Sequence, residues 1–362
     1  MKNLKKLFSW IFVTIVILGL SGNVYAQRNI KKEYYRAKIL SVVEHENDKK
    51  DRTRKILVQV SEKELKNEII EINEKIIDDN QFHHDYKAGD NIIIFSQDIN
   101  GVKTYAIHDY YRMTWVYYLI ILFVVVLFVI GKKSGIKAIL SMIFSILTVV
   151  IMIPLIVKGY PPILLAASLG ALNTIITILV VAGKSKKSAA SIVGTISGIV
   201  LSFVIAYIFG TNSYITGITP EETAMLSFLP GNLKNTAHSL LYAGVLLGSL
   251  GAVMDVTMSI SSSIEEVSNA DPSFGFKQLY ISGMNVGRDI MGTMTNTLVL
   301  AYMASSLPLL VLIYSYNSSL PVFYNMDIIV SEIVRTIAGS IGIIVSIPIT
   351  CLVAAILFKS KE

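Results

Sequence analysis

The stretch WVYYLIILFVVVLFVIG, residues 115–131, has 17 residues and no charged side chain. A helix needs about 20 apolar residues to cross a bilayer, so this run is close to the length of one crossing. The whole chain of 362 residues is 53% hydrophobic and only 16% charged. Six further apolar runs follow, at about 137–157, 162–182, 190–209, 237–257, 293–314 and 333–357. The sequence therefore predicts an integral membrane protein with seven spanning helices.

The basic residues lie in short clusters between these runs. Loops rich in lysine and arginine stay on the cytoplasmic side of a membrane. The net charge of +6 is therefore a topology signal, and nucleic acid is not an expected partner. The segments predicted to be cytoplasmic carry Lys132, Lys133, Lys137, Lys184, Lys186, Lys187, Lys277, Arg288, Lys359 and Lys361. The pattern predicts a multi-pass plasma-membrane protein with a cytoplasmic C-terminus.

The N-terminus has the layout of a secretory signal. A basic start precedes an apolar stretch, residues 7–20, and small residues lead to Ala26. Residues 1–26 are predicted to be a signal peptide that is cleaved after Ala26. The alternative is a retained membrane anchor. In both cases residues 27–113 lie outside the cytoplasm.

Residues 27–113 are polar and contain short alternating segments such as RKILVQVSE (54–62) and DNIIIFSQ (90–97). Alternation bounded by turn residues is typical of strands. We expect a small β-rich extracytoplasmic domain, OB-like or a barrel, ahead of a transmembrane α-helical domain at 114–362. The fold class is thus mixed. Cys351 is the only cysteine, so no disulfide can form within the chain.

Proline and glycine add local expectations. The loop at 210–236 contains ITPEETAMLSFLPGN and predicts either a short external helix or a plain structured loop. Pro308 and Pro348 fall inside predicted spans, where proline kinks a helix. Closely spaced glycines allow helix backbones to approach, which predicts a compact bundle. They are Gly194, Gly198, Gly244, Gly248 and Gly251.

Two polar stripes interrupt the apolar pattern. In LGAVMDVTMSISSSIEEV (250–267) the polar residues recur every three or four positions and so share one helix face. They are Asp255, Ser259, Ser262 and Glu266. The next span repeats the pattern with Asn285, Asp289 and Asn296. The short connection NADPSFGF (269–276) predicts an antiparallel helix pair, whose stripes we expect to face each other.

Two interpretations of these stripes remain open. Carboxylate, amide and hydroxyl oxygens are the ligands of hard cations and also suit a proton relay, so the residues could line an ion or solute path. Which metal ion, if any, is not indicated. In the alternative, Arg288 is a counter-ion to Asp255 or Glu266, and the serines only bond helix to helix.

The stretches LGAVMDVTMSISSSIEEV (250–267) and SGMNVGRDIMGTMTNTLVLAYMASSLPLL (282–310) resemble the YibE/F family of bacterial multi-pass membrane proteins. The resemblance covers most of the chain. It implies a location in the bacterial cell membrane and a β-rich external domain ahead of the spans. It implies no chemistry for individual residues.

Two classes of function fit these patterns. The first is a permease or channel-like transporter of a small ion or polar solute, with the two stripes as its lining. The alternative is a non-transporting envelope assembly or sensing protein whose external domain binds a partner, either an envelope protein or another copy in an oligomer. The spans show no nucleophile arrangement and the chain has no GxxxxGK[ST] loop, so neither enzyme activity nor a cofactor is expected.

Overall fold

The computed structural model describes residues 33–46, 52–62, 65–76, 85–99, 102–217, 237–315 and 320–359. The predicted signal peptide, 1–26, and the predicted helix in the loop that includes 218–236 lie outside these residues. The chain divides into two compact units, one ending at Val129 and the other beginning at Ile130.

The first unit holds a five-stranded antiparallel sheet of order β3-β2-β1-β4-β5. The strands are β1 (Glu33–Glu46), β2 (Arg52–Val60), β3 (Ile69–Ile76), β4 (Asn91–Ile99) and β5 (Val102–Tyr110). Alternation along β1 buries Tyr35, Ala37 and Ile39 on one face and exposes the residues between them. The buried face therefore forms a hydrophobic core with the inward residues of the neighbouring strands.

The sheet is strongly curved. Pairing shifts register between Ile39 and Ser41 and again between Ile93 and Ile94, and such irregularities bend a sheet. The two edge strands, β3 and β5, approach each other to within 8 Å between Cα atoms. The result is a half-barrel, which confirms the β-rich domain expected from the sequence.

The second unit is helical, and α1 begins in the first unit. The helices are α1 (Met113–Val157), α2 (Pro162–Ala182), α3 (Lys186–Asn212), α4 (Ala237–Ala270), α5 (Phe276–Ser305), α6 (Leu307–Ser315), α7 (Leu320–Tyr324) and α8 (Asp327–Phe358). Among the described residues, five helices are long and apolar enough to cross a membrane, namely α1, α2, α3, α4 and α8. The predicted multi-span architecture is confirmed.

Three of the predicted spans differ in detail. Helix α1 has 45 residues, enough for two crossings, and is broken at Lys132, where φ is 46° and ψ is −123°. It therefore contains the first two predicted spans. The predicted sixth span, 293–314, is interrupted, because α5 ends at Ser305 and α6 begins at Leu307. Pro308 explains this break, since proline is tolerated in a first helical turn but not in a helix interior. Helix α8 continues through Pro348.

The basic segments gather at one end of the helical unit. Three contacts join the helix ends there, each from a side chain of one helix to another helix. They are Lys137 Nζ to Val181 O (3.1 Å), Lys187 Nζ to Glu265 Oε2 (2.6 Å) and Ser268 Oγ to Phe358 O (3.1 Å). At the opposite end, the Thr216 backbone N–H donates to Asp327 Oδ1 at 3.1 Å. The positive-inside rule requires this segregation of the basic loops.

Small residues allow α3, α4 and α8 to pack closely. A Cβ added at Gly198 would lie 2.8 Å from the Gly342 carbonyl oxygen and 2.9 Å from Val253 Cγ1. Gly198 is therefore a point of backbone contact between helices. By contrast, a Cβ at Gly244 or Gly251 would meet nothing within 4 Å. Gly198 in α3 therefore marks a close contact between helices. In α4 only some of the glycines mark such a contact, and Gly244 and Gly251 do not.

Candidate functional site

The polar stripe of α4 lies on one face, as its spacing predicts. Asp255, Ser259 and Glu266 are exposed on the surface of the single chain, and Ser262 is half-buried. The opposite face of α4 carries fully buried side chains that belong to the hydrophobic core, namely Val253, Val256, Ile260 and Ile264. Helix α4 therefore separates an apolar inner face from a polar outer face.

Helix α5 is divided in the same way. Asn285, Asp289 and Asn296 are exposed, whereas Gly283 and Gly287 are buried on the other side of the helix. The expectation that the two stripes face each other is wrong. The glycines lie at the seam with α4 instead, because only small residues admit Ile264 and Ile260 so close to the α5 backbone.

The two stripes nevertheless lie at similar heights. Gly283 packs against Ile264, and Gly287 packs against Ile260, so the two helices run antiparallel. Because residue numbers rise along α5 as they fall along α4, these two contacts place Asp289 at the height of Met258. Asp289 and Asp255 therefore lie within about one helical turn of each other along the helix axes. We call the seven residues of both stripes the α4–α5 polar face. They are Asp255, Ser259, Ser262, Glu266, Asn285, Asp289 and Asn296.

In the described part of the chain, Arg288 contacts an amide oxygen and not a carboxylate. Its Nη1 donates to Asn285 Oδ1 at 3.5 Å, a long contact within α5. Among the residues that the structure describes, no ion pair within 4 Å joins Arg288 to Asp255 or Glu266. The acidic residue of α4 that does form an ion pair is Glu265. The two aspartates of the face likewise form no ion pair within the described part of the chain.

The hydroxyl group of Ser259, and that of the neighbouring Ser263, bond within α4. Ser259 Oγ donates to the Asp255 carbonyl oxygen at 2.8 Å, and Ser263 Oγ donates to the Ser259 carbonyl at 2.9 Å. These bonds use the serine hydrogen and leave oxygen lone pairs on the surface. The Ser259 hydroxyl is thus not a group that holds α4 to its neighbours.

The hydroxyls that do bond helix to helix were not predicted. Ser191 Oγ donates to Ser261 Oγ at 2.8 Å, and Thr195 Oγ1 lies 2.7 Å from Thr257 Oγ1. All four side chains are buried. The sequence did contain a signal, because α3 and α4 each carry two hydroxyl residues four positions apart, which places each pair on one face.

A second cluster of charged side chains lies near the other end of the bundle. This cluster was not predicted from the sequence either. Arg335 Nη1 donates to Glu332 Oε1 at 2.9 Å, and its guanidinium lies 5.8 Å from the centre of the Tyr302 ring. The two charged residues are three positions apart in α8, and this spacing in an apolar span was the available signal. Because Glu332 and Arg335 neutralise each other, this cluster differs from the polar face.

A cavity of about 280 Å³ lies between α5 and α8. Its lining is apolar apart from Arg288, and it includes Met284, Met291, Ile344, Ile347 and Pro348. None of the seven residues of the polar face lines it. The cavity is therefore not an oxygen-rich site of the kind that the sequence predicted.

Comparison with known proteins bears on this region directly. A family model described as YibE/F-like protein matches residues 119–360, more than half of the chain. The matched segment includes α4 and α5 and hence the whole polar face. No curated protein and no solved structure matches the chain.

Proposed function

The chain belongs to the family of YibE/F-like proteins, and from this premise we propose that it is a permease that moves a small cation or polar solute along the α4–α5 polar face. It is a multi-pass membrane protein, with five described helices of spanning length and composition. The proposal concerns what those helices carry across the membrane.

One observation carries the proposal. Asp255 lies exposed on α4, a helix long and apolar enough to cross a membrane, and Asp289 lies exposed at a similar height on α5. The described residues offer neither aspartate an ion pair. A charged side chain in a membrane segment is costly unless it faces water, protein or a ligand. A path for a hydrophilic solute supplies that environment. An envelope scaffold needs no carboxylates at such positions.

The depth of Asp255 supports the same view. The Lys187–Glu265 ion pair lies at the basic end of the bundle, where a membrane surface is expected. Asp255 is ten residues from Glu265 along α4, which corresponds to about 15 Å of helix. The hydrocarbon core of a bilayer is about 30 Å thick, so Asp255 lies near its middle.

The chemistry of the face favours a cation over an anion. Three carboxylates stand beside serine hydroxyls and asparagine carbonyls, all of them oxygen ligands. Hard cations are bound by such oxygens, which replace their hydration shell in a pore. Arg288 is the adjacent positive group, so the face itself is net acidic.

The proposal includes an orientation. The protein lies in the bacterial cell membrane, with the half-barrel domain outside and the basic end of the bundle in the cytoplasm. The gathering of Lys137, Lys187 and the C-terminal end of α8 at one end supports this orientation through the positive-inside rule.

Ion flux from proteoliposomes tests the function. The purified full-length protein is reconstituted, and the efflux of Na⁺, K⁺ and Mg²⁺ is measured separately. We expect flux of at least one cation, reduced at least tenfold by Asp255→Asn. Asp271→Asn is the matched control, because Asp271 lies in the loop between α4 and α5 and bonds locally to Ser273. Absence of all three fluxes from the wild type, or equal loss in the control, contradicts the cation permease.

A further inference from the structure

We propose that a second copy of the chain covers the polar side of α5, in a two-fold symmetric dimer that pairs Arg288 of one copy with Asp289 of the partner subunit. The inference rests on the proposed function in one respect, because the dimer places the polar side of α5 against protein and leaves the path to the stripe of α4. It goes further in naming the partner and the contact between the copies.

Lipid alone cannot cover this face. Acyl chains offer no hydrogen bonds, and an unpaired charge that contacts them is strongly unfavourable. Elsewhere, the exposed side chains of the bundle are mainly large and apolar, as lipid contact requires, for example Val200, Ile337 and Leu352. The polar face departs from this pattern on two adjacent helices, so another protein surface is its natural cover.

The face carries both signs of charge, which suits contact with a copy of itself. Arg288 and Asp289 are consecutive and both exposed. With the described residues, Arg288 forms only the long bond to Asn285, and Asp289 forms no ion pair. In a two-fold interface, if residue i contacts residue j of the partner, then j contacts i of the partner. One Arg288–Asp289 contact therefore becomes two.

Helix geometry selects Asp289 as the partner of Arg288. A two-fold axis along the membrane normal places each residue at the same depth in both copies. At 100° per residue, Arg288 lies about 40° to one side of Gly292 and Asp289 about 60° to the other side. When the Gly292 faces of the two α5 helices meet, each Arg288 therefore faces Asp289 of the partner subunit. Gly292 permits a close approach, because a Cβ there would meet nothing within 4 Å.

Cysteine cross-linking in native membranes tests the contact. Cys351 is the only cysteine and is buried, so Cys351→Ala gives the background. Gly292→Cys in this background should form a disulfide-linked dimer on mild oxidation. Leu352→Cys is the matched control, because Leu352 is an exposed apolar residue of α8 and should stay monomeric. No dimer with Gly292→Cys, equal dimer in the control, or cross-linking only to a different protein overturns the proposal.

Exchange of the two charges tests the pairing itself. Chains carrying Arg288→Asp or Asp289→Arg place like charges opposite each other when they pair with themselves. Each should therefore lose at least tenfold of the Gly292→Cys cross-link. Co-expression of the two variants restores opposite charges, and so does the double substitution in one chain. Recovery in both combinations shows that the single variants fold, and failure of recovery contradicts the pairing.

The outcomes also separate this inference from the proposed function. Loss of cation flux in Asp255→Asn without any Gly292→Cys dimer leaves the permease standing and rejects the dimer. A dimer that recovers with charge exchange but passes no cation rejects the permease and retains the interface.

Discussion

Lys187 Nζ lies 2.6 Å from Glu265 Oε2, and this ion pair joins the first turn of α3 to the last third of α4. Both side chains are about one quarter exposed. The neighbouring Glu266 is exposed and remains part of the polar face. Two adjacent glutamates therefore have different roles, one in holding helices together and one on the surface.

Replacing a carboxylate by a neutral amide should therefore have different effects on protein stability at Glu265 and at Asp255. Glu265→Gln leaves the Lys187 ammonium without its partner and should destabilise the protein by about 1–2 kcal/mol, between the values for surface and buried pairs. Asp255→Asn removes no ion pair, and an amide is less costly than a carboxylate in an apolar environment, so stability should stay the same or rise. Thermal unfolding in detergent measures both. A destabilised Asp255→Asn that Arg288→Gln rescues would show that the two residues form a pair.

The close contact at Gly198 leads us to a second prediction about protein stability. Gly198→Ala forces a methyl group against the Gly342 carbonyl and Val253, and overpacking of this kind costs about 1–3 kcal/mol. Gly251→Ala is the matched control in a position with open space, and its effect should stay within about 1 kcal/mol. Equal effects of the two substitutions would argue against tight packing of α3 on α4 and α8.

The proposed orientation can be tested with reporter fusions. A fusion at Lys186 and one at Glu362 should report the cytoplasm, because both lie near the basic end of the bundle. A fusion at Asn232 should report the outside. An external signal at Lys186 or a cytoplasmic one at Asn232 contradicts the orientation and the predicted seven crossings.

We predict that residues 27–113 fold alone and that Tyr86 gives this fragment an alkaline transition. Burial raises the pKa of Tyr86 to about 12, from the ordinary value of 10.0. The folded state therefore keeps the phenol protonated where the unfolded chain ionises. This contribution to stability is complete below pH about 10 and is lost as the pH rises through about 12. Urea unfolding of the fragment and its Tyr86→Phe variant across this range measures the contribution. A constant difference between the two, or no cooperative unfolding, contradicts the prediction.

Much of the architecture could be read from the sequence, because periodicity reports burial directly. The alternation at Tyr35, Ala37 and Ile39 places β1 in a half-barrel, and the apolar runs give the spanning helices. Pro308 was expected to kink the predicted sixth span, but the structure ends one helix at Ser305 and begins another at Leu307. The sequence does not show whether a proline bends a helix or ends it.

The arrangement of the polar stripes could be predicted only in part. Spacing placed Asp255 and Ser259 on one face of a helix, but spacing cannot tell which face meets a neighbour. Gly283 and Gly287 decide that question, because their lack of side chains lets α4 pack against them. The same limit applies to Thr195 and Thr257, whose bond depends on the relative position of two helices.

The central claim is that the α4–α5 polar face lines a water-filled path, and its most direct measurement is the accessibility of single cysteines. In the Cys351→Ala background, Asp255→Cys and Ser259→Cys are treated in membrane vesicles with a cationic, membrane-impermeant methanethiosulfonate. Leu352→Cys and Ile356→Cys, at exposed apolar positions of α8, are the controls. We predict that the reagent modifies the two cysteines of the α4 stripe at least tenfold faster than the controls. Modification of Asp255→Cys and Ser259→Cys as slow as that of the controls would contradict it.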